Sequence, residues 1–180
     1  MTSWNEYLNV LLLDTGHIRN ACIVGVPSGL VYAHADENFL PRIYPADTVD
    51  SNGNDMQIYV NELEGWIETA RSDWQLPPSG GLRINGNRFT WLGNGEETYT
   101  DFVSSSSSDS ATCTCALPST STSISIKYAK GQFGGNRSVC LCGSPKTMIV
   151  ATSDRSQGHD FSQCIQNCTR LAAYLTSVGH

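Results

Sequence analysis

The sequence predicts an α+β fold, a central antiparallel sheet with the N- and C-terminal helices packed on one face and a further helix and hairpin on the other. Three observations predict it. The chain opens on Ser3-Trp4-Asn5-Glu6, a capping box ahead of helically spaced apolar residues. It closes on a second capped run, with Cys164, Cys168, Leu171, Leu175 and Val178 recurring at helical spacing behind Asp160 and Gln163. Between them, short apolar runs are punctuated by tight-turn residues, of which Asn85-Gly86 is the sharpest signal. Helices at the ends and hairpin-linked strands in the middle make a sheet with segregated helices the natural layering.

Taken in order, the first helix starts at Trp4 and runs through Leu8, Leu11 and Leu12, with Gly16 as its left-handed stop. Ala21–Val24 and Leu30–Ala33 flank Val26-Pro27-Ser28-Gly29 and read as a β-hairpin. A segment punctuated by Pro41 and Pro45 follows. Tyr59, Leu63, Trp66, Ile67 and Ala70 then predict a second helix, with Asn54 and Gln57 resembling its cap. Leu82–Ile84 and Arg88–Leu92 predict a hairpin about Asn85-Gly86, whose residues suit a type I′ turn. Ile124–Tyr128, Ser138–Cys142 and Thr147–Ala151 give three more strands, and Gly179 closes the last helix.

From about 103 to 123 the composition collapses to Ser and Thr, so this stretch cannot repay its ordering entropy and is expected to be a flexible loop inserted in a single domain spanning 1–180. With 39% hydrophobic and 16% charged residues in 180, the chain has enough apolar material for one core. A net charge of −6 argues against a general nucleic-acid binder, which needs clustered Lys and Arg. No apolar run is long enough to span a membrane, and no basic section precedes the first apolar residues, so a cytoplasmic location is expected.

Enzymatic signatures are absent: His17, His34, His159 and His180 show no ligand spacing, and there is no GxSxG, P-loop or dinucleotide fingerprint. Cys113/Cys115, Cys140/Cys142 and Cys164/Cys168 each put two thiols on one face of a strand or helix, a pattern a soft metal could use. Cys164 and Cys168 share the stripe of Leu171 and Leu175, so they read as small core hydrophobes; no cofactor is expected, and Cys113 with Cys115 is the one pair open to oxidation.

The opening Ser-Trp-Asn-Glu-Tyr, Gly29–Ala33, Gly80–Phe89 and the closing Leu-Ala-Ala-Tyr-Leu, in this order of elements, together resemble the profilin family. The resemblance covers most of the chain outside about 35–56 and 94–123, and Tyr32 stands where Trp is usual. It implies a cytoskeletal adaptor without catalysis, which binds monomeric actin, proline-rich proteins and phosphoinositide headgroups and so regulates actin assembly. By the same resemblance Trp4, Tyr7, Tyr32, Tyr174 and His180 would wall a polyproline groove, and Trp91, Lys127, Lys130, Gln166 and Arg170 would face actin. Rival readings are a proline-tract adaptor with weakened actin binding and a trafficking or signalling scaffold of similar topology.

Overall fold

The computed structural model describes residues 3–100 and 123–180. The expected insertion, apart from Ser123, and with it Cys113 and Cys115, lies outside the described residues. Helix α1 (Trp4–Leu11) begins under a complete capping box: Ser3 Oγ accepts from the Glu6 amide at 3.2 Å and Glu6 accepts from the Ser3 amide at 3.4 Å. A 3₁₀ turn (Leu13–Thr15) follows and Gly16 ends it in the left-handed region.

Strands β1 (Asn20–Gly25) and β2 (Leu30–His34) form the first hairpin. Strands β3 (Ile43–Val49) and β4 (Asp55–Asn61) form a separate two-stranded sheet, and α2 (Glu62–Arg71) follows directly. Then come β5 (Leu82–Ile84), β6 (Asn87–Tyr99), β7 (Ile124–Phe133), β8 (Arg137–Gly143), β9 (Thr147–Asp154) and α3 (Phe161–Ser177). The main sheet runs β2-β1-β9-β8-β7-β6-β5 and every neighbouring pair is antiparallel.

The central strands are buried on both sides, so period 2 sorts their side chains into two cores. Ala21, Ile23, Cys140, Cys142, Ile149 and Ala151 point toward α1 and α3, where Leu8, Leu12, Cys168, Leu171 and Leu175 close over them. Cys22, Val24, Val139, Leu141, Met148 and Val150 point the other way, to Trp66 and Ile67 of α2 and to Trp74, Leu82 and Phe89. The terminal helices therefore share one face and α2 takes the opposite one.

Two expectations are corrected. The second helix starts at Glu62 rather than near Tyr59, and its cap is Asn61, whose side chain accepts from the Glu64 amide at 3.3 Å. Asn54 instead serves the β3–β4 turn, where the Asp50 carboxylate accepts from the Asn52 and Asn54 amides, each at 2.8 Å. Tyr59 merely falls in helical phase with α2 while lying on β4, 80% exposed. The hairpin itself escaped notice because Pro45 and two Asp interrupt its apolar residues, a composition tolerated on an edge strand. Strands β6 and β7 also run further than their apolar residues predict, because Gly93–Tyr99 pairs with Ile124–Lys130 despite its turn-like Gly-Asn-Gly composition.

Candidate functional site

Residues from four separate elements meet in one row of rings. Trp4 and Tyr7 lie on the same side of α1, their ring centres 6.0 Å apart and edge-to-face. Tyr32 stacks on Trp4 at 4.9 Å with the planes 27° apart. Tyr174, on α3, lies 5.7 Å from Tyr7, and the His180 ring meets Trp4 edge-on at 5.0 Å. All five residues expected to wall a groove are thus in one contiguous, partly exposed cluster.

Each is put there by local structure. The β1–β2 ladder slips between Ile23 and Val24, with Ile23 opposite Ala33 and Val24 opposite Val31, which leaves Tyr32 as the extra residue of a bulge. The bulge turns Tyr32 to the face that Ala33 shares with α1. Gly25 makes the space, since a β-carbon there would run into the Tyr32 hydroxyl and the Ser28 side chain. The C-terminus is pinned: the His180 amide donates to Leu175 O at 2.8 Å, Ser144 Oγ donates to His180 O at 3.1 Å, and Lys146 Nζ donates to Gly179 O at 2.9 Å. A hydrogen bond with Tyr7 raises the Tyr174 phenol above its ordinary value.

The residues expected to face actin are not brought together in the same way. Lys127 and Lys130 are three apart on one strand, an odd spacing that sends them to opposite faces of the sheet. Lys130 is paired with Cys140 and so shares the α3 face, as do the exposed Gln166 and Arg170 of α3 itself. Lys127 is on the α2 face, in an ion pair with Asp73, and Trp91 packs half-buried against the same α2-side core. At the edge of the α3 face the Tyr99 hydroxyl bonds Thr169 Oγ1 at 2.6 Å and donates to Gln166 O at 3.3 Å, fixing β6 to α3.

Cys140, Cys142, Cys164 and Cys168 are buried in the α3-side core, and burial drives the Cys142 thiol well above its ordinary value. Among the described residues no group of three or more His, Cys, Asp or Glu is arranged to hold a metal ion. No helix among them is long and apolar enough to cross a membrane. Leu11 follows the helical spacing of Trp4 and Leu8 but is 42% exposed, and the neighbouring Val10 is 55% exposed.

The Profilin family model matches residues 2–180. Schizosaccharomyces pombe profilin superposes with a TM-score of 0.58 at 14% identity, covering 99% of this chain and 100% of that one. Acanthamoeba castellanii profilin IA gives 0.57 at 16% identity and profilin II of the same organism 0.54 at 17%, each with the same 99% and 100% coverage. No curated protein matches the chain by sequence.

Proposed function

The chain belongs to the profilin family, one of non-enzymatic actin-binding regulators, and from that premise we propose that it binds monomeric actin and proline-rich ligands and so controls actin assembly. The observation that carries the reading is the unbroken row Tyr32–Trp4–Tyr7–Tyr174 with His180 against Trp4. A polyproline II helix is preformed, presents flat rings to stack on aromatic faces, and leaves its carbonyls free to accept from indole and phenol groups. Little ordering entropy is lost on either side, because the rings are already held by the capped helix, the bulge and the pinned terminus.

For actin we assign the contact to the α3 side, where Lys130, Gln166 and Arg170 offer polar groups on one face. An adaptor seated there would cover part of the monomer, block nucleation and deliver monomers to partners held in the proline groove. Phosphoinositide headgroups would have to be met by local cations, since the net charge is −6, and co-sedimentation with vesicles with and without phosphatidylinositol bisphosphate tests that part.

Titration with a proline decamer, followed by calorimetry and intrinsic fluorescence, tests the groove. Saturable binding is expected, weakened about 30-fold by Trp4→Ala, a loss of about 2 kcal/mol of the size typical for a Trp hot spot, less by Tyr174→Ala and least by His180→Ala. Absence of saturable binding, or undiminished binding by folded Trp4→Ala, would remove the groove. Co-sedimentation with monomeric actin separates this reading from that of an adaptor that binds only proline tracts.

A further inference from the structure

The small sheet has one blocked edge and one open edge. At the two ends of the β3–β4 ladder the Glu62 amide donates to Arg42 O at 3.0 Å and the Asp50 amide to Asn54 O at 2.9 Å, and the register between them is unbroken. Tyr44, Ala46 and Thr48 therefore bond across to Val60, Ile58 and Met56, and the backbone groups of the alternate residues point outward. On β3 the outward set is Ile43, Pro45, Asp47 and Val49, and Pro45 leaves it short of a donor. On β4 the set is Asp55, Gln57 and Tyr59, each with its amide; among the described residues no other strand or loop bonds these groups. Between Asp55 and Asn61 the edge has no charge, no proline and no bulge, the devices that ordinarily stop a strand from pairing further.

The open edge borders a groove of about 470 Å³. Ile58 and Tyr59 line it from β4, and Glu64, Glu68 and Arg71 line it from α2. Glu64 and Glu68 are exposed, and neither is in an ion pair among the described residues. Glu68 Oε2 accepts from the Ser79 amide and hydroxyl, each at 3.1 Å, which holds the carboxylate in place at the groove. The Glu62 carboxylate is already occupied by Arg42, Tyr44 and Gly86, and Arg83 Nε donates to Gly80 O at 3.3 Å.

We propose that this groove takes an extended segment of a partner protein as a third strand on β4, with two basic side chains, two residues apart, meeting Glu64 and Glu68. The spacing fits. Alternate side chains of a strand lie about 6.6 to 6.8 Å apart on one face, and residues four apart on a helix are separated by about 6 Å along its axis. Arg71, about 4.5 Å beyond Glu68, ends the acidic stretch and disfavours a third basic residue there. A second copy of this chain is the wrong occupant: its β4 would bring Asp55 and no cation, and none of the 11 Lys and Arg residues has another two positions away. The surface shares no residue with the aromatic row or with the α3-side residues assigned to actin, so it stands or falls apart from those readings.

Calorimetry with the end-blocked peptide Thr-Val-Lys-Val-Lys-Val-Thr, beside the same peptide with Glu in place of both Lys, tests this. The lysine peptide should bind the wild type saturably and about 10-fold or more tighter than the glutamate peptide, and in Glu64→Gln/Glu68→Gln the ratio should fall to about two or less. Tyr59→Pro removes one outward amide and no ladder bond, so it should abolish binding, whereas Tyr59→Ala should retain it. Amide hydrogen exchange gives the same answer without substitution: the lysine peptide should slow exchange at Gln57 and Tyr59 of the wild type. No saturable binding of the lysine peptide, a lysine preference that survives in the double variant, or unchanged exchange at Gln57 and Tyr59 under saturating peptide overturns the proposal.

Discussion

Glu62 is the most deeply buried acid in the described structure, 1% exposed, and its position makes it a junction. Oε1 accepts from the Gly86 amide at 2.7 Å and the Tyr44 hydroxyl at 3.3 Å, and Oε2 accepts from the Arg42 amide at 3.1 Å. The carboxylate ties the β3–β4 hairpin and the β5–β6 turn to the start of α2. Glu62→Ala would leave buried amides without acceptors, at roughly 1–3 kcal/mol each, so urea denaturation should show a loss of about 3 kcal/mol, and less for Glu62→Gln, which retains one acceptor. A loss below about 1 kcal/mol would mean that water takes over the carboxylate's role. Asp154, 4% exposed, accepts from the Ser156 hydroxyl at 2.5 Å and amide at 3.0 Å and from Arg19 at 2.6 Å. The Ser156 hydroxyl first, then its amide and Arg19, hold the carboxyl below its ordinary value of 3.8. A lowered folded-state value stabilises above the unfolded value, and that stability drains as pH falls through the carboxylate range. Stability should therefore be level above about pH 5 and drop below about pH 4, with Asp154→Asn flattening part of the slope. Asp50, held low by the Asn54 amide, contributes with the same sign. An unchanged acid slope in Asp154→Asn would show that other carboxylates set it.

At the scale of elements, the groove depends on the β1–β2 bulge as much as on the rings. Tyr32 reaches Trp4 because the ladder slips beside it and because Gly25 carries no side chain. Gly25 has an ordinary backbone conformation, so alanine there introduces no backbone strain, and the atoms it meets are the far end of Tyr32 and a serine hydroxyl. Gly25→Ala should consequently push the Tyr32 ring off Trp4 and weaken proline-decamer binding several-fold, while the melting temperature moves by only a few degrees, the shift that about 1 kcal/mol produces in a domain of this size. A variant that binds the decamer like the wild type would show that Tyr32 is dispensable to the groove. Gly143 is a contrasting case: a β-carbon there would run into backbone, Thr147 O and Met148 Cα, in a conformation with φ of 158°. That position is fixed by the β8–β9 connection, not by binding.

For the whole molecule, the two faces of the sheet decide which surface charges can act together. Lys130 and Arg170 lie on the α3 side, whereas Lys127 is paired with Asp73 on the α2 side. If the α3 side meets actin, reversing Lys130 and Arg170 together to Glu should weaken inhibition of pyrene-actin assembly about 10-fold or more, and Lys127→Glu should change it less than about 3-fold, because rim charges off the interface contribute little. Equal loss in the two variants would mean that the contact wraps around the β6–β7 edge, and no loss in either would place it elsewhere. The groove at the α1–α3 end should be unaffected by all three changes, since its five rings belong to other positions.

Local rules by themselves determined much of this protein. Ser3 and Glu6 define the first helix start, Asn85-Gly86 with φ of 51° and 80° defines a hairpin, and Asp160 caps the last helix by accepting from the Ser162 and Gln163 amides. Such signals act within a few residues, so the sequence carries them whole. The apolar runs of β1, β8 and β9 likewise announced strands, which the structure covers on both faces. Tertiary structure decided what depends on partners distant in sequence. Tyr59 and Leu63 obey helical spacing, yet β3 claims Tyr59 as a strand residue opposite Pro45. Gly93–Tyr99 carries a Gly-Asn-Gly stretch poor in strand formers, yet β7 holds it extended through backbone bonds that no local propensity encodes. The aromatics were individually legible at both ends of the chain; that Tyr32 joins them rests on a one-residue slip between β1 and β2. The separation of Lys127 from Lys130 followed once that stretch was known to be a strand, because side chains an odd number of residues apart on a strand leave by opposite faces.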